Sequence, residues 1–454
     1  MARIYNDSVT AALSSDISTD REVEEPSAVQ TEVDSDTAAF EQACKIIPNG
    51  VQTESKRPDR HVEGVYPKYI EKGKGAYVWD YSGHSYIDYP CALGAILVGY
   101  SNTAVNKAVH STIEKGNLFS LPNKSESVLS EKLCELIPSC EMVRLLKTGS
   151  EAVSAAIRIA RAVTGNEGVV FCGYNGWHDA YAVTTSKKKG IPKGMRRYSG
   201  QFKYNNRDDL TDFFSLGKHV EFPIAAVVME PYVFEEPKEG YLEAVKDLAH
   251  SNNALLVFDE VVTAFRTKEY SAQKYFGVIP DLTCLGKAMG NGYSISAVGG
   301  KAEYMKQLTG NCFVSSTYGG DLIGISAAIA TLKVMEESNG LKRIWKSGQR
   351  LKDDFNALSA ENGLRAHVQC IGLPSRTKFM FKNEAQAGLF WQECLRMGVL
   401  FGYAQFTTLS HGKDEIDITY EAMAAAMKKV AEHFDEPERA LDGKVPSATF
   451  RLVR

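Results

Sequence analysis

The sequence lacks the signals that mark secreted, zinc-binding and membrane proteins. Its nine cysteines are scattered, odd in number and include no C-x-x-C pair, which argues against zinc and disulfide frameworks and favours buried thiols in a reducing compartment. No apolar run approaches the roughly 20 residues that span a bilayer. The N-terminus has no basic region followed by an apolar core, so it is not a secretory signal. We therefore expect a cytoplasmic protein without membrane contact.

The sequence also lacks an excess of positive charge. The formal net charge is −4, and the first 38 residues hold nine acids against two arginines, so the remaining chain carries a charge of about +3. A nearly neutral body without a basic stripe gives no electrostatic footprint for nucleic acid. The acidic segment has few large apolar side chains and cannot bury enough surface to offset its ordering entropy. Residues 1–38 are therefore predicted to be a disordered tail.

What is present is the composition of an ordinary globular enzyme. The chain has 454 residues, of which 44% are hydrophobic and 24% charged, and this length predicts two or more packed regions. There is no internal repeat and no glycine-serine linker. The end regions should therefore pack together rather than swing on a tether.

Two patterns of secondary structure follow each other along the chain. Residues 67–89 alternate apolar and polar side chains between glycine turns, which predicts a small antiparallel unit with strands at 69–70, 76–80 and 85–89. Five β-rich runs then alternate with helical stretches, the mark of a mainly parallel sheet covered on both faces. These runs are MVRLLKTG, GVVFCGY, IAAVVMEP, ALLVFDE and LTCLGK.

The first candidate site lies where a predicted strand runs into a helix. In KTGSEAVSAAIRIARAV, Gly149 and Ser150 separate the strand from an apolar helical stripe. Free backbone N–H groups at such a helix start, with a hydroxyl and a glycine that allows close approach, suit a phosphate. The alternative is a simple helix N-cap by Ser150. The spacing is not that of a P-loop, because no glycine-lysine pair follows.

Aromatic residues follow the next strand. In FCGYNGWHDAY, Tyr174 stands at the carboxyl end of the strand, in the crevice where open α/β sheets bind ligands, and could stack on a planar cofactor ring. The alternative is a loop whose aromatic side chains simply pack. His178 with Asp179 is a weak hint of acid-base chemistry and is better explained as a supporting pair.

A buried acid and a lone lysine complete the set. In ALLVFDEVVTAF, an apolar run ends in Asp259 and Glu260, and DLTCLGKAMGNG places Lys287 among glycines and small residues. A buried carboxylate needs a cationic partner, which for Asp259 could be a protonated pyridine nitrogen or an ordinary ion pair with Arg266. Lys287 is either a surface lysine or an amine with a lowered pKa that forms a Schiff base.

Taken together and in this order, the motifs resemble class III aminotransferases of the pyridoxal-phosphate fold-type I group, within them the glutamate-1-semialdehyde aminomutase branch. The resemblance covers residues 47–432 and is carried by IPNG, YIEKGKGAYVWDYSGHSYIDY, KTGSEAVSAAIRIARAVTG, GYNGWHDAY, FDEVVTAFR, PDLTCLGKAMGNGY and SSTYGGD. It implies an α/β fold with a large domain on a mainly parallel seven-stranded sheet, and a smaller α+β domain built from both chain ends. The implied parts are residues 1–38 (tail), 39–100 and 336–454 (small domain) and 101–335 (large domain).

The resemblance also implies roles for individual residues. Lys287 would hold pyridoxal phosphate as a Schiff base and then move the proton between Cα and C4′, while Asp259 would pair with the pyridine nitrogen. Thr317 would reach the phosphate of the neighbouring subunit's cofactor, so the active sites would lie at the interface of a homodimer. The remaining implied cofactor contacts are Gly149 and Ser150 at the phosphate, Tyr174 and Val261 on the two ring faces, and Glu230 and Glu260 in support.

The implied reaction moves an amino group from an amino acid donor, such as glutamate, to a carbonyl acceptor. In the aminomutase variant, donor and acceptor are the same carbon skeleton. This chain reads PNGVQTESKRPDR where aminomutases usually carry NSPVR, has Asn175 where they have histidine, and has Gly320-Asp321-Leu322 where they have a GNP-type stretch.

Two further stretches, SKKKGIPKGMRRYSGQFKYNNRDDL and GKVPSATFR, are similar to relatives that aminate sugars or cyclic polyols. We therefore expect a transaminase that acts on a small metabolite. An aminomutase, or a racemase or decarboxylase on the same fold, remains the alternative. Four side chains are either substrate contacts or, as the better explanation, surface residues or members of structural pairs: Arg57, Arg60, Arg376 and His411.

Overall fold

A seven-stranded sheet forms the centre of the protein. The computed structural model describes residues 33–215 and 220–447. The strands are β4 (Met142–Leu146), β5 (Gly168–Cys172), β6 (Ser199–Gln201), β7 (Ile224–Met229), β8 (Leu255–Asp259), β9 (Leu282–Leu285) and β10 (Ser296–Gly300). Their order across the sheet is β4-β10-β9-β8-β7-β5-β6. Strand β10 runs antiparallel to both its neighbours and the other pairs are parallel, so the prediction of a mainly parallel sheet is confirmed.

Helices cover both faces of this sheet. Every residue of β7 and β8 is buried, because alternate side chains enter different apolar cores. Val169 and Phe171 pack on one face, while Val170 and Cys172 pack on the other. The helices are Thr103–Ile113, Lys124–Leu136, Gly149–Thr164, Asp179–Ala182, Arg207–Ser215, Tyr241–Ser251, Ala272–Phe276, Ala302–Met305 and Leu322–Glu337.

A second sheet joins both ends of the chain. Strands β1 (Ile70–Lys74), β2 (Tyr77–Asp80) and β3 (Ser85–Asp88) are antiparallel, as predicted. The late strand β13 (Val399–Leu400) pairs in parallel with β3. A hairpin of β11 (Gln369–Leu373) and β12 (Arg376–Met380) and the helices Gly340–Glu361, Glu384–Arg396 and Lys413–Glu432 complete this part. The smaller α+β part therefore draws on both chain ends, while the exact domain boundaries stay a prediction.

The N-terminal boundary differs from the prediction. Residues 1–32 of the predicted tail lie outside the described residues, but residues 33–38 belong to a helix, Val33–Ile46. This helix therefore begins inside the segment that we predicted to be disordered. Phe40 and Cys44 anchor it at the turn around Gly50. A Cβ added to Gly50 would lie 2.7 Å from the Phe40 ring and 2.9 Å from the Cys44 sulfur.

Two further observations concern the whole described chain. All nine cysteines lie within it as free thiols, and seven of them are buried. No helix in the described ranges combines the length and apolar character that a membrane crossing requires.

Candidate active site

The carboxyl ends of the parallel strands gather polar residues at one edge of the sheet. This is the edge at which open α/β sheets bind ligands, since the loops after successive strands meet there. The residues predicted from the sequence follow five different strands: Gly149 and Ser150 after β4, Tyr174 after β5, Glu230 after β7, Asp259 at the end of β8 and Lys287 after β9.

The helix that follows β4 starts at Gly149, and Thr148 is its N-cap. The Thr148 hydroxyl accepts a hydrogen bond from Glu151 N, and the Glu151 carboxylate accepts one from Thr148 N at 2.8 Å. The alternative that Ser150 is the N-cap is therefore wrong. Ser150 Oγ instead accepts a hydrogen bond from Trp177 N at 3.3 Å. The first N–H groups of this helix can thus serve an anion, as helix starts do.

Glycine is required at the start of this helix. A Cβ on Gly149 would lie 2.9 Å from Val261 Cγ1, and a Cβ on Gly176 would lie 2.5 Å from Ser150 Oγ. Val261 also lies 3.4 Å from the position of a Cβ on Gly286, the residue before Lys287. The side chain of Val261 therefore lies between the helix start and the lysine.

Both oxygens of the buried Asp259 carboxylate accept hydrogen bonds. Asn175 Nδ2 donates to Oδ2 at 2.9 Å and Val261 N donates to Oδ1 at 3.2 Å. The rival explanation, an ion pair with Arg266, is wrong. Arg266 is fully buried and donates to the backbone carbonyls of Gly94, Ile96 and Thr407.

Glu230 links the aromatic loop to a cation. Its Oε1 accepts a hydrogen bond from Tyr174 N at 3.1 Å, and its Oε2 accepts one from Arg376 Nη1 at 2.9 Å. The side chains of Glu230 and Arg376 are 5% and 11% exposed, so this ion pair is shielded from solvent. The sequence did not decide whether Arg376 contacts the substrate or forms a structural pair. The structure shows that Arg376 pairs with Glu230 and lies at the candidate site.

The two central ionisable groups have strongly shifted pKa values. Burial raises the pKa of Asp259 to about 7, and the nearby negative charge of Glu230 acts in the same direction. Burial lowers the pKa of Lys287 to about 8, and the positive charge of Arg376 adds to this effect. Lys287 also adopts a left-handed backbone conformation with φ 43°, a strained state that clusters at functional sites.

A polar scaffold that the sequence did not reveal holds the lysine turn. The Asn291 side chain accepts hydrogen bonds from Leu97 N and Val98 N and donates to Gly99 O, at 2.8 to 2.9 Å. It thereby ties the turn Lys287–Gly290 to the segment after β3. The only signal in the sequence is the asparagine next to a glycine, a frequent turn pair.

Three other predicted residues have structural partners. Glu260 is fully buried and accepts hydrogen bonds from Ala272 N, Gln273 N and Gln273 Nε2, so it anchors the helix Ala272–Phe276. His178 Nδ1 lies 2.7 Å from Ser154 Oγ. His411 is fully buried and its Nδ1 accepts a hydrogen bond from Thr408 N at 3.0 Å.

Arg57, Arg60 and Thr317 lie at the surface or in partly buried positions. Arg57 pairs with Glu54 and Asp59, and Arg60 pairs with Glu54. Thr317 is exposed, in a turn closed by a hydrogen bond from Gly319 N to Ser316 O. In this single chain, Thr317 therefore remains available to a neighbouring molecule.

Comparison with known proteins assigns the chain to a family. The aminotransferase class-III model matches residues 60–427. A 3-aminobutyryl-CoA aminotransferase from Cloacimonas acidaminovorans is 36% identical over 407 residues, which cover 86% of this chain and 96% of the relative. A glutamate-1-semialdehyde 2,1-aminomutase from Syntrophobacter fumaroxidans is 33% identical over 425 residues, or 87% of this chain and 97% of the relative.

A solved structure agrees with this assignment. The FumI protein of Sphingopyxis sp. MTA144, described as a PLP internal aldimine form, matches with a TM-score of 0.81 and 26% identity, over 90% of this chain and 98% of that protein. The fold is therefore that of the fold-type I transaminases, and the cofactor is pyridoxal phosphate. The chain belongs to the class III aminotransferases.

Proposed function

We propose that this protein moves an amino group from an amino acid donor, glutamate, to a carbonyl of a small metabolite. The observation that carries the proposal is the arrangement of Lys287, Asp259 and Arg376 around one sheet edge. Together these residues offer an amine of lowered pKa, a buried carboxylate and a guanidinium that could meet a donor carboxylate. Arginine suits this last role because its planar fork matches carboxylate geometry.

The donor set fits pyridoxal phosphate. Gly149 and Ser150 would bind the phosphate at the helix start, where a side chain on Gly149 would collide with Val261. Asp259 would face the pyridine nitrogen, and a cation there would stabilise its buried carboxylate. Tyr174 and Val261 would hold the ring from its two faces.

The chain's own groups would then act on the substrate. The bound cofactor supplies an aldehyde for the amine and a ring that withdraws electrons. Lys287 would hold the cofactor, and its amine, with a pKa of about 8, can accept a proton near neutral pH and return it. Asp259 would keep the ring nitrogen protonated. Glu230 would hold Arg376 in place and fix the backbone of Tyr174.

We further propose that the enzyme works as a homodimer whose interface includes Thr317. Exposed apolar side chains lie on the loop of this residue and on an adjacent loop: Leu118, Phe119, Leu121, Phe313 and Tyr318. The loops are joined by hydrogen bonds from Leu322 N to Asn117 O at 2.8 Å and from Asn117 Nδ2 to Asp321 Oδ1 at 3.2 Å. An apolar patch of this kind favours contact with a second copy.

Glutamate alone tests the reaction. A transaminase converts it to 2-oxoglutarate and leaves the cofactor in its pyridoxamine form, which is measured by product assay and absorbance. The Lys287→Ala protein should lack this conversion. An enzyme that leaves glutamate unchanged but isomerises glutamate-1-semialdehyde would be an aminomutase, like the relative from Syntrophobacter fumaroxidans. A keto-sugar and cyclic-ketone panel would then identify the acceptor.

A further inference from the structure

Two cations and two aromatic rings extend outward from the Glu230–Arg376 ion pair. We call Phe234, Arg376, Lys378 and Tyr403 the outer cluster. The Arg376 guanidinium lies 5.0 Å from the centre of the Phe234 ring, and Lys378 Nζ lies 4.3 Å from the centre of the Tyr403 ring. The two rings meet edge to face, with centroids 6.1 Å apart. The four side chains therefore form one continuous surface beside the site.

The geometry of strand β12 determines where the two cations of the outer cluster lie. Arg376 and Lys378 are alternate residues of β12, so their side chains share one face, while Thr377 between them is buried. Thr377 also pairs with Gln405 through two backbone hydrogen bonds of 2.9 Å. This bridge holds the loop of Tyr403 against the strand.

Only one of the two cations of the outer cluster has an ion-pair partner among the described residues. Glu230 pairs with Arg376, and Glu235, which follows Phe234 in the chain, accepts a hydrogen bond from Asn205. Lys378 has no carboxylate partner within the described ranges, where its amine contacts Tyr403 Oη at 3.2 Å. Arg376 Nε also has no hydrogen-bond partner there, although it is buried. Unused donors of this kind suit an anion.

We propose that the outer cluster binds an anionic group, a carboxylate or a phosphate, at the end of the substrate remote from the reacting carbon. This inference rests on the proposed function. Lys378 would meet the anion, Arg376 would add charge from the inner side, and the rings of Phe234 and Tyr403 would line the path of the substrate chain. Tyr403 is 52% exposed, so the cluster is open to solvent.

Binding of inert anions to the holoenzyme tests the subsite without turnover. Calorimetry with glutarate and with propyl phosphate should show that Lys378→Met weakens the better-bound probe by ~10-fold, as loss of a charge-assisted hydrogen bond would. Lys378→Arg should retain most of the affinity. The matched control is Lys72→Met, since Lys72 also lies over a ring, that of Trp79, but in the second sheet. It should bind both probes as the wild type does.

Turnover separates this idea from the proposed function. With glutamate, Lys378→Met should raise KM and leave kcat nearly unchanged, while butylamine, which has no anionic end, should react equally with both proteins. Probe binding that is independent of Lys378, or that falls equally in Lys72→Met, would overturn the subsite. Lys378-dependent probe binding in a protein that transaminates no amine would keep the subsite and refute the proposed function.

Discussion

At the scale of single residues, Lys287 and Arg376 are electrostatically coupled. With a pKa of about 8, roughly a tenth of the Lys287 amine is neutral at pH 7. Because only the neutral amine attacks an aldehyde, the rate at which the apoprotein captures pyridoxal phosphate should rise with pH and level off above about 8. Arg376→Met removes a positive charge and frees the negative Glu230, and both changes raise the pKa of Lys287. The midpoint of the pH–rate curve, measured by absorbance, should therefore move upward by about one unit.

Lys378→Met is the control and should leave the midpoint of the pH–rate curve unchanged, because Lys378 is not among the groups that shift the pKa of Lys287. An Arg376→Met midpoint at or below that of the wild type would contradict the coupling.

Asn175 is the second residue whose role can be measured. Its hydrogen bond to Asp259 Oδ2 lowers the pKa of Asp259 against the opposing effect of burial. Asn175→Ala should therefore raise the pKa of Asp259 above about 7 and weaken pyridoxal phosphate binding by about 10-fold at pH 7, since a lost hydrogen bond to a charged group is worth about 1.5 to 3 kcal/mol. The defect should be larger at pH 6 and smaller at pH 8, where the carboxylate ionises.

Fluorescence titration of the apoprotein measures this affinity. Ser154→Ala removes the contact of Ser154 with His178 in the same region and should leave the affinity unchanged. A defect in Asn175→Ala that is the same at pH 6 and pH 8 would show that Asn175 does not act through the ionisation of Asp259.

At the scale of secondary-structure elements, the turn Cys91–Gly94 stores strain. Cys91, Ala92 and Leu93 all have positive φ, from 46° to 60°, which costs roughly 1 to 2 kcal/mol per residue for a side chain with a Cβ. Arg266 holds the turn by donating hydrogen bonds to the carbonyls of Gly94 and Ile96. The strain is therefore maintained by a buried cation that the sequence suggested as a partner of Asp259.

Glycine should relieve part of this strain. Leu93 is half-exposed with φ 60°, so Leu93→Gly should increase the free energy of unfolding by about 1 kcal/mol, because glycine tolerates positive φ. Ile418→Gly is the matched control, an exposed residue inside the helix Lys413–Glu432, where glycine should lower stability by about 0.5 kcal/mol. Urea unfolding at one protein concentration measures both. A Leu93→Gly protein that is less stable than the wild type would show that the backbone at Leu93 is not strained.

The elements that could be predicted are those with a strong local pattern. The five apolar runs of the large sheet were found because they are rich in branched residues and end in glycine or acidic residues. Strand β10, with the sequence SAVGG, has no such pattern and depends on pairing with β4 and β9. Strand β6 has three residues and is likewise defined by its neighbour β5. Their formation depends on the sheet rather than on their own residues.

Contacts between distant segments set a similar limit at the site. The ends of β4, β5, β8 and β9 were marked by their own motifs. The pairing of Glu230 with Arg376, 146 residues further along the chain, brings together two segments whose local patterns give no hint of each other. The same holds for Arg266, whose three carbonyl partners lie in two remote loops.

At the scale of the whole molecule, the proposed dimer connects assembly with cofactor binding. Lys147, next to the start of the helix Gly149–Thr164, forms an ion pair of 2.6 Å with Asp321. Asp321 in turn caps the helix Leu322–Glu337 and follows the turn of Thr317. The loop that would reach the partner is therefore joined directly to the helix start that would bind phosphate in its own subunit. Loss of the interface should therefore weaken cofactor binding in two ways. It removes the partner's Thr317 from the phosphate, and it loosens the loop that is joined to the helix start of the same subunit.

Leu121→Asp tests this connection. Leu121 is 79% exposed in the single chain, so the substitution should leave the subunit folded while a buried aspartate at the interface opposes association. Sedimentation should show a wild-type dimer and a largely monomeric Leu121→Asp protein with about 10-fold weaker pyridoxal phosphate binding. Ile418→Asp, a charge at an exposed site away from the patch, should remain dimeric. A Leu121→Asp monomer that binds the cofactor as tightly as the wild type would refute a contribution of Thr317 across the interface, because the phosphate site would then be complete within one subunit.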